Sequence, residues 1–278
     1  MVFDGGLWTP FMKEDENGKM VRVAAKSIKT RKNFKKLNLN SDSQINYAVK
    51  YINEYKDAIK KRNYKIGVSC VYGCILQTLY EFMVGVTDFM MMLYDDKQLI
   101  EDMLEVSTEH YLKMTKELVK TGVDFIYIAD DIAFNKNLFI NPKAMKEIWV
   151  PRLARIIEPA VDAGIPVMFH SDGKIDEIVE ELINMGVKCL NPMDPTGVDY
   201  SEYKKKYGDR LCLSGNVDID NILSKGTPED IEADVRKHME ILKPGYGYIA
   251  SSSHSIMNYI PHENVIAYIN AMHKYGKY

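Results

Sequence analysis

The chain lacks most features that mark a special class of protein. Cysteine is scarce: Cys70, Cys74, Cys189 and Cys212 are the four in 278 residues, and no two form a C-x-x-C pair. A disulfide framework is therefore excluded, and a reducing compartment is expected. Cys189 and Cys212 read as thiols of buried strands, while Cys70 and Cys74 lie near a strand end where a site role is open. No apolar run approaches the ~18 residues that cross a bilayer. The run FMMMLY at 89–94 is too short and reads as a core helix. The N-terminal MVFDGGLWTP has no basic region leading into an apolar stretch, so it is not read as a signal peptide. Net charge is only −3, which gives no reason to expect nucleic acid or an anionic membrane as partner. The basic run at 26–36 (KSIKTRKNFKK) is the local exception. It reads as a solvated loop, with an anion-binding face as the sharper alternative. A cytoplasmic protein is expected.

A hydrophobic content of 46% and a charged content of 27% allow a full core and an ordinary surface. Short β-branched runs alternate with longer amphipathic segments. Strands are expected at 65–70, 124–130, 166–170, 188–191, 211–215 and 247–251. Helices are expected at 44–62, 75–94, 97–120, 142–163, 175–185, 228–242 and 261–274. Pro142, Pro228 and Pro261 suit first helical turns, and Gly122, Gly164 and Gly186 suit helix stops. Such alternation means parallel βαβ units in one α/β domain over 1–278. Residues 1–64 are its irregular or helical part, and 65–278 carry six βα units. A closed (β/α)8 barrel needs more strands than these. Strands near Val2–Trp8 and Lys19–Val23, an open sheet, or missing N-terminal βα units would each account for the difference. The last is the reading favoured: a TIM-type barrel lacking one or two N-terminal βα units.

Parallel α/β folds place their chemistry at the carboxyl ends of strands. Here those ends deliver Tyr72, Asp130 and Asp131, His170 and Asp172, Asn191 and Asp194, Gly215 and Asn216, and His254. Neutral imidazole and carboxylate are good zinc ligands, so His170, Asp172 and His254 are a candidate metal set. His170 and His254 are equally open to an acid–base or substrate role, and Asp172 to capping the helix that follows. Of Asp130 and Asp131, one is expected to face the site and the other to order a loop. Two ionised neighbours repel, so at least one needs a partner or a raised pKa. Asp130, His170 and His254 are the catalytic candidates. Tyr72, Asp131, Asn191, Asp194, Gly215 and Asn216 are the substrate-binding ones. Gly215 reads either as a close backbone approach to a ligand or as a tight turn. His110, His238 and His273 read as surface or helix residues.

These segments resemble the uroporphyrinogen decarboxylase superfamily. The matching pieces are IGVSCVYGCILQTLYEFMVG at 66–85, Ile128–Asp131, FHSDG at 169–173, LNPMDP at 190–195, SGNVD at 214–218 and SSHSIMNYIPHEN at 252–264. The resemblance covers about residues 65–275 and implies a (β/α)8 barrel. Its methyltransferase branch binds zinc through a His-x-Cys pair and a later Cys. His170 keeps the histidine, Asp172 stands at the first Cys and His254 falls at the second. The resemblance thus implies zinc-assisted methyl transfer between a small methylated substrate and a corrinoid protein. The harder donor set suits thiolate exchange less, which counts against coenzyme M as acceptor. The decarboxylase branch, metal-free, resembles the chain at 215–218 and at His254. Its polycarboxylate substrate needs a positive pocket. The seven arginines, at 22, 31, 62, 152, 155, 210 and 236, sit at none of the strand ends. Methyl transfer therefore ranks first and uroporphyrinogen III decarboxylation second. An inactive barrel acting as a subunit is the third reading, and a homodimer is the expected assembly.

Overall fold

The computed structural model describes residues 2–3, 11–14, 20–23, 28–35, 41–73 and 75–277. Cys74, Trp8, the ends of the basic run and the Arg22 side chain lie outside the described residues. The chain, read from sequence as one domain, divides into two compact units. One is Met1–Asp131 with Asn141–Val167, the other Ile132–Ile140 with Met168–Tyr278.

The first unit holds β1 (Val2–Phe3), the hairpin strands β2 (Phe11–Glu14) and β3 (Met20–Val23), α1 (Arg31–Phe34), α2 (Ser41–Arg62), β4 (Ser69–Gly73), α3 (Ile75–Gln77), α4 (Val86–Asp95), α5 (Lys97–Lys120), β5 (Phe125–Ala129), α6 (Pro142–Ile148) and α7 (Val150–Asp162). Parallel pairing runs β1–β4–β5. The strands β1 and β3 fall where the sequence offered strands near Val2–Trp8 and Lys19–Val23 as an alternative to missing units, and β2 was not expected. Their short, polar-flanked segments give little periodicity. On α5, Leu99, Ile100, Met103, Leu104, Ser107, Tyr111, Met114 and Leu118 are buried at spacings of three and four, a single helix face. It packs on α7, whose buried stripe is Leu153, Ile156, Ile157 and Ala160. The expected helix over 142–163 is interrupted at Trp149, because Pro151 has no N–H to continue the ladder. Two cations of the basic run are paired: Arg31 with Asp96 and Asp102 at 2.7 Å, and Lys29 with Asp88.

The second unit holds β6 (Val167–His170, all but its first residue), α8 (Val179–Asn184), β7 (Val187–Asn191), α9 (Tyr200–Tyr207), β8 (Cys212–Val217), α10 (Pro228–Leu242), β9 (Tyr248–Ser252) and α11 (His262–Tyr275). The four strands are hydrogen-bonded in chain order, and β7–β8 and β8–β9 are parallel. The α10 start follows from its sequence: Thr227 and Asp230 form a reciprocal capping box around Pro228. The helix α9 was not expected. Its sequence YSEYKKKY buries only Tyr203 and Tyr207, one turn apart, so its apolar face is two half-polar rings.

Candidate active site

The turn after β6 is built by Ser171. Its buried Oγ accepts the Ile132 N–H (3.0 Å) and donates to the Asp172 carbonyl (2.8 Å). Gly173 follows at φ +82°, and a Cβ there would lie 2.6 Å from the Phe134 carbonyl oxygen. Only glycine fits. Its N–H donates to Asp194 Oδ2 (2.8 Å), while Asp194 Oδ1 accepts from the Thr196 N–H and hydroxyl (2.9 and 2.8 Å). Asp194 therefore braces two loops.

A relay of side chains crosses the ends of β6, β7 and β8. Asn191 Nδ2 donates to Ser214 Oγ (2.9 Å), which leaves Asn191 Oδ1 facing His170 Nδ1 at 2.7 Å. An amide oxygen only accepts, so Nδ1 carries the proton and donates. The lone pair of the neutral ring is then on Nε2. Nε2 lies 3.9 Å from Asp172 Oδ1. Asn191 thus acts on His170, and Ser214, which the sequence places at the same strand end without a role, orients Asn191.

The strand ends of this unit do converge. Asp172, Asp194, Asp218 and His254, which follow β6, β7, β8 and β9, line one cavity of about 410 Å³ with Asp220 and Tyr259. Burial works against ionisation of Asp218, but hydrogen bonds from Asn221 and Asp220 outweigh it and hold the carboxyl below its usual range. No lysine or arginine lines this cavity among the described residues. His254 is exposed, and its carbonyl accepts from Ser252 Oγ (2.8 Å). Among the described residues, the ligand atoms of His170, Asp172 and His254 do not all come within 4.8 Å of one another. The expected set is therefore not brought together: His170 and Asp172 lie side by side, and His254 stands apart on the wall of the cavity that Asp172 lines.

Two expected substrate contacts at the end of β8 are otherwise engaged. A Cβ on Gly215 (φ +128°) would lie 1.8 Å from the Pro192 carbonyl oxygen, so the close approach it permits is to its own chain. Asn216 is 1% exposed; its Nδ2 donates to the Met193 carbonyl (2.5 Å) and its Oδ1 meets His238 Nε2 (2.8 Å). His238, read as a surface or helix residue, lies on α10, where it is buried and stacks on Tyr200 with centroids 4.2 Å apart. Its place on the stripe Ile231, Val235, His238, Met239 was the available signal. These groups border a separate cavity of about 690 Å³ that holds neither His170 nor Asp172.

In the first unit, Asp130 is fully buried and faces its own framework. It accepts from the N–H of Leu76 (3.0 Å) and Gln77 (2.8 Å) and from the Trp149 indole (2.8 Å). Burial pushes its carboxyl up to about 6, and those donors pull the other way. Asp130 is the loop-ordering member of the pair, a correction to its expected catalytic role. Asp131 is half-buried and accepts from Gln77 Nε2 (2.9 Å). Tyr72 is also corrected: buried beside Tyr111, its hydroxyl is 2.6 Å from Thr115 Oγ1 on α5. His110, read as a surface or helix residue, is buried on α5, and burial pushes its ring down to about 4.

Parallel βα units with a histidine, carboxylates and a cavity at their carboxyl ends define a barrel of the enzyme-bearing α/β class. The chain belongs to the uroporphyrinogen decarboxylase (URO-D) family, which matches residues 13–275, and its fold is of the TIM (β/α)8-barrel type. It is 27% identical over 202 residues to a methylcobamide:CoM methyltransferase of Methanosarcina barkeri, across 71% of this chain and 56% of that protein. It is 25% identical over 189 residues to a uroporphyrinogen decarboxylase of Thioalkalivibrio sulfidiphilus, across 66% and 51%. A solved methyltransferase from Methanosarcina mazei shares the fold with a TM-score of 0.65 at 19% identity, over 96% of this chain and 71% of that one. The chain spans about half the length of the curated relatives it matches. No helix among the described residues is long and apolar enough to cross a membrane.

Proposed function

We propose that the chain is a methyltransferase that moves a methyl group between a small methylated substrate and a corrinoid protein, with zinc at His170 and Asp172. The observation that carries this reading is the Ser214–Asn191–His170 relay. It fixes the tautomer so that the Nε2 lone pair lies on the Asp172 side, the outer-sphere arrangement of a metal-ligating histidine. The similarity to a methylcobamide:CoM methyltransferase supports the reaction class.

His170 Nε2 and Asp172 Oδ1 fit as two ligands of such an ion. Zinc bound there supplies a Lewis acid that lowers the pKa of a thiol or water beside it. Asn191 and Ser214 hold the imidazole in orientation. His254, exposed on the cavity wall, exchanges a proton with substrate rather than completing the donor set. The acidic lining favours a neutral or cationic methyl carrier over a polyanion.

The test is methyl transfer to cob(I)alamin, followed by its absorbance change, beside zinc content. The intact chain should bind zinc and turn over. His170→Ala should lose zinc and at least ~100-fold in rate, with the fold retained by circular dichroism. Full turnover in zinc-free His170→Ala would sink the zinc role. Zinc-loaded, folded protein inert with every methyl donor, yet forming coproporphyrinogen, would replace the methyltransferase reading.

A further inference from the structure

Cys189 and Cys212 are register partners on the parallel strands β7 and β8. Neighbouring strands lie about 4.8 Å apart, and side chains paired in register leave the same face. That spacing falls inside the roughly 4.4–6.8 Å Cα separation over which cysteines bridge. The Cys189 S–H donates to the Leu190 carbonyl at 3.8 Å, and the two side chains are near enough for each to shift the other's ionisation. Their exposure differs: Cys189 is 6% exposed, whereas Cys212 is half-buried. The hydrogen bond from Cys189 and the charge of Lys204 hold the Cys212 thiol below its ordinary range, against partial burial. The hydrogen bond to Cys212 and burial push Cys189 up. A half-buried thiol is thus paired in register with a buried one, the placing of an attacking and a resolving cysteine.

We propose that Cys189 and Cys212 form an oxidisable dithiol that takes a hydroperoxide as its substrate and closes an intrachain disulfide. Cys212 sulfur attacks one peroxide oxygen as its thiol gives up its proton. An S–O bond forms, the O–O bond breaks, and the departing hydroxide takes the Cys212 proton as water. Cys189 sulfur then attacks Sγ of the sulfenic acid. The S–S bond forms, the S–O bond breaks, and hydroxide leaves with the Cys189 proton as a second water. Two thiols supply two electrons, and one peroxide is reduced. The site stands apart from the proposed zinc pair but bears on it. Asn191 and Ser214 follow the two cysteines by two residues on the same strands, and so share their sheet face.

The test is oxidation of the full chain with a few equivalents of hydrogen peroxide at neutral pH, then alkylation and peptide mapping. The expected result is a fall from four free thiols to two, a cross-link joining the peptides of residues 189 and 212, and reversal by dithiothreitol. Cys189→Ser should leave a sulfenic acid on Cys212 that dimedone traps. Persistence of all four thiols, a cross-link through Cys70 or Cys74, or over-oxidised Cys212 beside unmodified Cys189 would overturn the proposal. The wild-type map decides the matter even where a serine variant does not fold.

Discussion

Asp130 and Asn191 show how differently two polar residues at strand ends are used. Removing the Asp130 carboxylate leaves the Leu76, Gln77 and Trp149 N–H groups buried without their acceptor. Asp130→Ala should cost on the order of 3–5 kcal/mol in urea unfolding, and a cost under ~1 kcal/mol would refute the bracing role. Its pH dependence has a definite sign. Burial raises the carboxyl to about 6, so the folded state keeps a proton that the unfolded chain releases near 4. The associated stability is whole below that lower value and is lost as pH rises through about 6. Between pH 4 and 7 the wild type should therefore lose roughly 2 kcal/mol relative to Asp130→Asn. A constant difference across the window would show that burial does not govern this group. Asn191 acts on function instead. Asn191→Leu frees the His170 ring, and zinc affinity measured by chelator competition should fall ~10–100-fold. Unchanged affinity would remove the relay from the proposed site.

At the scale of elements, legibility followed apolar periodicity. The helices α5 and α10 match the expected 97–120 and 228–242 because each carries a long apolar stripe. α9 was missed for want of one, and the helix expected at 75–94 is divided by Gly85 at φ +96°. Within the site, residue types at strand ends were readable but side-chain direction was not. Tyr72, Asp130 and Asn216 look like mouth residues in sequence, yet each is spent on a neighbouring helix or loop. Gly215 carries the sharpest consequence for an element. Gly215→Ala places a methyl group 1.8 Å from the Pro192 carbonyl oxygen, at a φ of +128° that side chains disfavour. Both strands must move, and Tyr248, whose hydroxyl donates to the Gly215 carbonyl (2.6 Å), moves with them. A fall in Tm of ~10 °C or more is expected in a thermal melt. An unshifted melt would mean that the β7–β8 connection adapts freely.

At the scale of the whole molecule, the placement of charge among the described residues bears on the proposed choice between the two family chemistries. Five arginines are paired away from the strand-end cavity. Arg31 pairs with Asp96 and Asp102, Arg152 and Arg155 with Glu105, Arg210 with Glu180 and Arg236 with Glu240. The strand-end cavity instead carries Asp172, Asp194, Asp218 and Asp220. A porphyrinogen with a ring of carboxylates entering there meets like charge and no guanidinium to offset its desolvation. A neutral or cationic methyl carrier meets no such barrier. The full chain should therefore form no coproporphyrinogen from uroporphyrinogen above the blank. Its methyl transfer should persist at ionic strengths that screen surface charge, because a cavity-bound neutral substrate gains little from long-range steering. Coproporphyrinogen formation at a rate that survives added salt would show that carboxylates are accommodated after all. The acidic cavity would then be a bystander to a decarboxylase site.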